Sequence, residues 1–108
     1  MVVIKRSGHQ EPFDRAKIVD GLRAACKNRP VSEDQLEAVG ADVEELVRLE
    51  GVELTSERIG LAVLERLQLL DEVAYLRFAS VYKGFDDADD FAREARLLTK
   101  QTAPKPRP

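Results

Sequence analysis

The sequence predicts an α+β protein that is mainly helical, in which a small N-terminal β-hairpin and one further short strand cap a bundle of four to five helices. Three observations support this fold class. The chain opens with a β-branched run at residues 2–4, followed by a Ser7-Gly8 turn. Most of the remainder repeats apolar residues every three or four positions, in segments separated by glycine or proline. The 108 residues are 44% hydrophobic, which suits one domain with a single modest core.

The strands are the shortest predicted elements. The first covers residues 2–6, and a second at residues 10–13 closes the hairpin, with Pro12 at an edge or at the strand end. A third strand at residues 52–54 can pair with this hairpin.

Capping residues mark the first two helices. Asp14 is a good N-cap for a helix over residues 15–27. Ser32 and Gln35 match the capping-box pattern and open a second helix, which stops at Gly51. The apolar stripes expected to be buried are Ile18, Leu22, Ala25 and Cys26 on the first helix and Leu36, Val39, Val43, Leu46 and Val47 on the second.

Three more helices are predicted in the second half. Thr55 or Ser56 caps the third, and residues 71–82 form a fourth that is apolar on more than one face and is therefore expected to be the most buried. An acidic run at residues 86–90 leads into the fifth. The expected core positions are Ile59, Val63, Leu67 and Leu70 on the third helix and Phe91, Ala95 and Leu98 on the fifth.

The domain is predicted to span residues 1–98, with residues 99–108 as a disordered tail, because the last positions alternate proline with basic residues. No apolar run approaches the roughly 18 residues that a membrane span needs, and no signal peptide is visible. We therefore expect a cytoplasmic protein without membrane contacts.

The residue types argue against several kinds of chemistry. Cys26 is the only cysteine, so the chain holds neither an internal disulfide nor a zinc site of clustered thiolates. The acidic run at 86–90 is better explained by a helix start than by magnesium binding. No phosphate loop, GxGxxG motif or nucleophile with a partner base is present. The sequence therefore predicts no metal site and no enzymatic activity.

Positive charge is concentrated at the N-terminal end. Residues 1–29 carry a balance of +4, against −7 for the remainder. Lys5, Arg6 and Lys17 could converge on one anion, helped by free N–H groups at the start of the first helix. Strand alternation would send Lys5 and Arg6 to opposite faces, and the alternative interpretation is that all three are solvated surface cations.

Two neighbouring residues also leave alternatives open. Glu11 could accept a hydrogen bond from a ligand or pair with Lys5 across the hairpin. Gly60, inside the third helix, is expected beside a ligand or the hairpin, or at a close helix contact, because an interior glycine costs about 1 kcal/mol relative to alanine.

Two separated motifs resemble a known family. The run VIKRSG, then Glu11, then FDRAKI resembles the opening of an ATP-cone, the allosteric nucleotide-binding domain at the front of many ribonucleotide reductases. The later segment DEVAYLRFASVYKGF is similar to the ATP-cone of bacterial transcriptional repressors of ribonucleotide reductase genes. The resemblance implies binding of ATP or dATP, with magnesium carried by the phosphates. The positions it assigns to nucleotide binding are Val3, Lys5, Arg6, Glu11, Asp14, Lys17, Thr55, Ser56, Ile59, Gly60, Val81, Tyr82 and Phe85.

The resemblance also implies a regulatory output, and this chain differs from the family in two respects. Nucleotide binding would control self-association, and through it DNA binding by a zinc ribbon that this chain lacks, which makes it an excised or a stand-alone domain. Ser7 stands where the family usually has Asp, a change that the turn tolerates. The alternatives are an allosteric module of a reductase enzyme and a helical interaction domain without a ligand.

Overall fold

Three short strands and five helices make up the part of the chain that the computed structural model describes, residues 1–51 and 53–101. The predicted fold class, mainly helical α+β with a hairpin and one further strand, is confirmed. In chain order the elements are β1 (Val2–Ile4), β2 (Gln10–Pro12), α1 (Arg15–Ala25), α2 (Glu33–Glu50), β3 (Glu53–Thr55), α3 (Ser56–Leu70), α4 (Glu72–Tyr82) and α5 (Ala88–Gln101).

The sheet has the order β2-β1-β3, with β1 antiparallel to β2 and parallel to β3. β1 ends at Ile4, two residues earlier than predicted. The chain turns at that point because the N–H of Lys5 donates to the His9 carbonyl and the N–H of Gly8 donates to the Lys5 carbonyl. Gly8 has a φ of 88°, which suits glycine. Lys5 and Arg6 therefore lie in the turn, where strand alternation does not separate them.

Side-chain caps set the helix starts. Asp14, Ser32, Thr55 and Asp71 each accept a backbone N–H from the first turn of the helix that follows. The capping box of Ser32 is complete, as predicted. α1 ends at Ala25 rather than at residue 27, because the chain turns through Asn28, whose φ is 62°.

The core centres on α3 rather than on α4. α3 buries six of its 15 residues, including Leu67, whereas α4 buries three of 11, so the expectation that α4 is the most buried helix is wrong. On α1 the buried stripe uses Val19 in place of the predicted Ile18, which is only half-buried. The buried residues of α3 are Ile59, Gly60, Ala62, Val63, Leu64 and Leu67.

α5 closes the far side of the bundle. It packs on α4 and buries Leu98 and Glu94. The helix continues to Gln101, past the predicted boundary at residue 98, because no helix breaker stands between them. The rest of the predicted tail, residues 102–108, lies outside the described residues, as does Val52 of the predicted third strand. No helix in the described ranges is long and apolar enough to cross a membrane.

Candidate functional site

A cavity of about 590 Å³ opens where four segments meet: the hairpin, the first two turns of α1, the first two turns of α3 and the last turn and a half of α4. Its volume lies within the range of about 300–1,000 Å³ that is typical of small-molecule sites. The sheet positions the hairpin against α3, because β3 pairs with β1 and runs directly into that helix. The fold therefore brings residues 3 and 82 to one site.

One side of the cavity is apolar. Phe78 and Tyr82, one turn apart on α4, stack with ring centroids 6.3 Å apart. Aliphatic side chains of the hairpin, α1 and α3 complete this wall, which suits a flat, poorly solvated group. These aliphatic residues are Val3, Ile18, Ile59 and Val63.

The rim carries the three cations of the N-terminal segment. Lys5, Arg6 and Lys17 all line the cavity, and their side chains are 45%, 70% and 71% exposed. Glu11 lies between the two lysines, with its Oε1 atom 3.9 Å from Lys5 Nζ and 3.6 Å from Lys17 Nζ. The carboxylate of Glu11 thus holds two cations at one rim, and the predicted pairing with Lys5 across the hairpin is present.

Arg6 joins the hairpin turn to the other two segments. Its Nη2 atom donates to the Tyr82 carbonyl at 3.4 Å, and its Nε atom is 4.0 Å from Glu57 Oε1. The Tyr82 hydroxyl donates in turn to the Glu57 carbonyl. Burial raises the pKa of Tyr82, as does the nearby Glu57 carboxylate, while Arg6 opposes the shift. The phenol therefore stays neutral and acts as a hydrogen-bond donor.

Gly60 lies both at the cavity and at a close contact between α3 and α4. It lines the cavity, and the Tyr82 ring covers its Cα so closely that an added Cβ would come within 2.6 Å of Tyr82 Cδ1. No real Cβ atom makes so short a contact with a ring. The absence of a side chain at residue 60 is what allows the ring to line the cavity.

Ten of the thirteen predicted site residues line this cavity, and Thr55, Val81 and Phe85 do not. Thr55 caps α3, where its hydroxyl accepts from the Arg58 N–H at 3.1 Å. Val81 faces a neighbouring groove between α1 and α4, and Phe85 packs edge-on against Phe91 at a centroid distance of 5.0 Å. The ten are Val3, Lys5, Arg6, Glu11, Asp14, Lys17, Ser56, Ile59, Gly60 and Tyr82.

Seven further residues line the cavity without having been predicted. Two of them carried a usable signal: Gly21 lies one turn after Lys17 on α1, and Phe78 lies one turn before Tyr82 on α4. The others depend on tertiary packing. The full set is Ser7, Pro12, Phe13, Ile18, Gly21, Val63 and Phe78.

A second depression, of about 610 Å³, lies over the loop between α1 and α2, but its arginines are already engaged. Arg23 donates to both carboxylate oxygens of Glu33, at 2.7 and 3.0 Å. Arg29 makes a similar two-pronged contact with Asp71, at 2.8 and 2.9 Å. An anion at this place would have to break close ion pairs, so the first cavity is the better candidate site.

Carboxylates of the acidic run at residues 86–90 accept hydrogen bonds from backbone N–H groups of the same run. Asp90 Oδ2 accepts from the Asp86 N–H at 2.8 Å, and Asp87 Oδ1 accepts from the Asp90 N–H at 3.2 Å. Within residues 1–51 and 53–101, no group of three or more His, Cys, Asp or Glu side chains is arranged to hold a metal ion.

Comparisons with known proteins identify the family of this chain. The model of the ATP cone domain matches residues 1–88. The chain is 52% identical over 106 residues to the transcriptional repressor NrdR of Corynebacterium efficiens, covering 97% of this chain and 68% of that protein. Its identity to the NrdR of a Nocardioides species is 56% over 99 residues, covering 91% and 58% of the two chains. For the NrdR of Thermobifida fusca the identity is 54% over 105 residues, covering 95% and 69%.

The relatives are named as repressors rather than as enzymes, in agreement with the non-enzymatic prediction. The chain spans about three fifths to two thirds of their length. It belongs to the ATP-cone family, and within that family to the domain found in NrdR transcriptional repressors.

Proposed function

We propose that the cavity binds an adenine nucleotide, ATP or dATP, and that the chain is the nucleotide-sensing domain of a transcriptional repressor. The observation that carries this proposal is the placement of Lys5, Arg6 and Lys17 on one rim of a cavity that has an apolar wall, in a chain that matches the ATP cone domain. This is the distribution that a flat base joined to a chain of phosphates requires.

The phosphates would be bound at the cationic rim. A charge-assisted hydrogen bond contributes about 1.5–3 kcal/mol. Three such bonds, less the cost of ordering the ligand and the side chains, are compatible with micromolar binding at about −8 kcal/mol. Magnesium would arrive with the phosphates rather than on a site of the protein's own.

The sugar and base would lie deeper in the cavity. Lys5 and Lys17 each turn from Glu11 to the phosphates, which leaves that carboxylate to accept from a ribose hydroxyl or a base amine. The rings of Phe78 and Tyr82, together with Ile59, provide the apolar wall for the base.

The regulatory output follows the names of the relatives, which are transcriptional repressors. Nucleotide binding changes the self-association of the domain and so controls DNA binding by a zinc-ribbon module outside this chain. The three-cation rim and the family membership support the sensing step. The output step is tested by measuring the size of the particle with and without nucleotide.

Thermal unfolding tests the sensing step directly. A ligand that binds only the native state at 100 times its Kd stabilises the fold by about 2.7 kcal/mol, which raises Tm by about 10 °C in a domain of this size. ATP and dATP should each produce this shift, and CTP a much smaller one. Equal shifts with all three nucleotides, or no shift with any of them, would refute adenine-nucleotide sensing.

A further inference from the structure

Helix α5 begins where the general family similarity ends. The ATP cone domain matches residues 1–88, and α5 starts at Ala88. The similarity to the repressors continues through α5, because the Corynebacterium efficiens protein aligns over 106 of the 108 residues. α5 is therefore a shared feature of this chain and the repressors beyond the matched cone.

The contact between α5 and α4 is built around a buried carboxylate. Glu94 on α5 is 5% exposed and is the only charged residue in the core among those the structure describes. Its Oε2 atom accepts from the Tyr75 hydroxyl at 2.7 Å, and both of its oxygens lie 3.0 Å from Lys83 Nζ. Lys83 keeps 35% of its side chain exposed, so the ion pair is only partly buried, and its contacts join both carboxylate oxygens of Glu94 to the residue that follows α4. The position of α5 on α4 is thus fixed by charge as well as by packing.

The same turn of α4 also borders the cavity. Tyr82 and Lys83 are consecutive, and Tyr82 lines the cavity while Lys83 holds α5. The Tyr82 carbonyl accepts from Arg6, a cation of the rim. If a bound phosphate takes the guanidinium of Arg6, this carbonyl loses that partner, and the contacts that hold the end of α4 are reduced to those of the Tyr82 side chain with Glu57 and Gly60 and to its packing on the bundle. Any shift of Tyr82 displaces Lys83, because the two share a peptide bond.

We infer that Lys83 and Glu94 are positioning residues that couple occupancy of the cavity to α5, so that α5 is the element through which the domain reports a bound ligand. This inference depends on the nucleotide binding proposed above. Its distinguishing feature is that Lys83, next to Tyr82, carries the coupling, whereas Tyr75, the other partner of the same carboxylate, does not.

Hydrogen exchange of the full chain, with and without ATP, tests the coupling. In the wild type, ATP should change the exchange rate of amides in residues 88–99 by about fivefold or more, the lower end of ordinary allosteric coupling. In Lys83→Gln this ATP-dependent change should be lost, while the Kd for ATP, measured by calorimetry, stays within about twofold of wild type. Lys83→Met serves the same purpose if the first variant does not fold.

Tyr75→Phe is the matched control, because it also removes one partner of Glu94 but leaves the ion pair with Lys83 intact. This variant should keep the ATP-dependent change in α5. A retained response in Lys83→Gln, or a lost response in both variants, would overturn the inference, since the carboxylate would then have only a structural role. ATP binding without any change in α5 would refute the coupling alone, whereas failure of the wild type to bind ATP would refute the proposed function as well.

Discussion

Replacing Lys17 with alanine should weaken ligand binding at the mouth of the cavity while leaving the stability of the ligand-free protein nearly unchanged. Lys17 Nζ is 3.6 Å from Glu11 Oε1, and its side chain is 71% exposed, so this ion pair contributes only about 0.2–1 kcal/mol to folding. A charge-assisted hydrogen bond to phosphate contributes about 1.5–3 kcal/mol. Lys17→Ala should therefore weaken ATP binding by about 10- to 150-fold. The Tm of the ligand-free protein should fall by about 5 °C or less.

Calorimetric titration with ATP measures the first effect, and thermal unfolding without ligand measures the second. Lys5→Ala should behave in the same way, because Lys5 pairs with the same carboxylate at 3.9 Å. Lys27→Ala is the matched control, since Lys27 is an exposed lysine just beyond the other end of α1 and does not line the cavity. If Lys5→Ala and Lys17→Ala bind ATP as tightly as Lys27→Ala does, the assignment of the phosphate site is wrong.

Two further predictions concern the fold. The hydrogen bond from Arg29 holds the pKa of Asp71 below its usual value. The pair therefore stabilises the native state at neutral pH, and this contribution is lost as the pH falls below the ordinary range of an aspartate and through the depressed pKa. Asp71→Asn, which retains a capping side chain, should cost about 2–3 kcal/mol in urea unfolding at pH 7 and progressively less at acidic pH, and a cost independent of pH would contradict this explanation. Leu67→Ala should destabilise the protein by about 2–5 kcal/mol because Leu67 is fully buried in α3, whereas Leu69→Ala on the same helix should stay within about 0.5 kcal/mol, and equal effects in urea titrations would place the core elsewhere.

The helix starts could be predicted from the sequence because the residues that cap them lie within a few positions of each start. Asp14 and the Ser32-Gln35 box cap the predicted helices, since a side chain that accepts a nearby N–H acts within a few residues. The cationic rim could be predicted for a different reason. The predicted hairpin leads directly into α1, so Lys5 and Lys17 lie on neighbouring elements regardless of how the rest of the chain folds.

Features set by tertiary packing could not be obtained in this way. The apolar stripe of α1 could be assigned to Ile18 or Val19, and only the packing of α1 on α2, where Val19 lies against Gly40, places Val19 in the core while Ile18 lines the cavity. Val81 and Tyr82 are adjacent in an apolar segment, and neither composition nor spacing shows that Tyr82 crosses to Gly60 while Val81 faces outward. The burial of Glu94 also has no sequence signal, because a single glutamate on an amphipathic helix is usually exposed.

The most direct test of nucleotide binding at this cavity is an amide chemical-shift titration of the full chain with ATP. The proposal predicts that the largest perturbations fall on the segments that line the cavity, residues 3–21, 56–63 and 78–82, with the transmitted change in α5 as a smaller effect. Perturbations centred on the loop between α1 and α2, or none at saturating ATP, would contradict it.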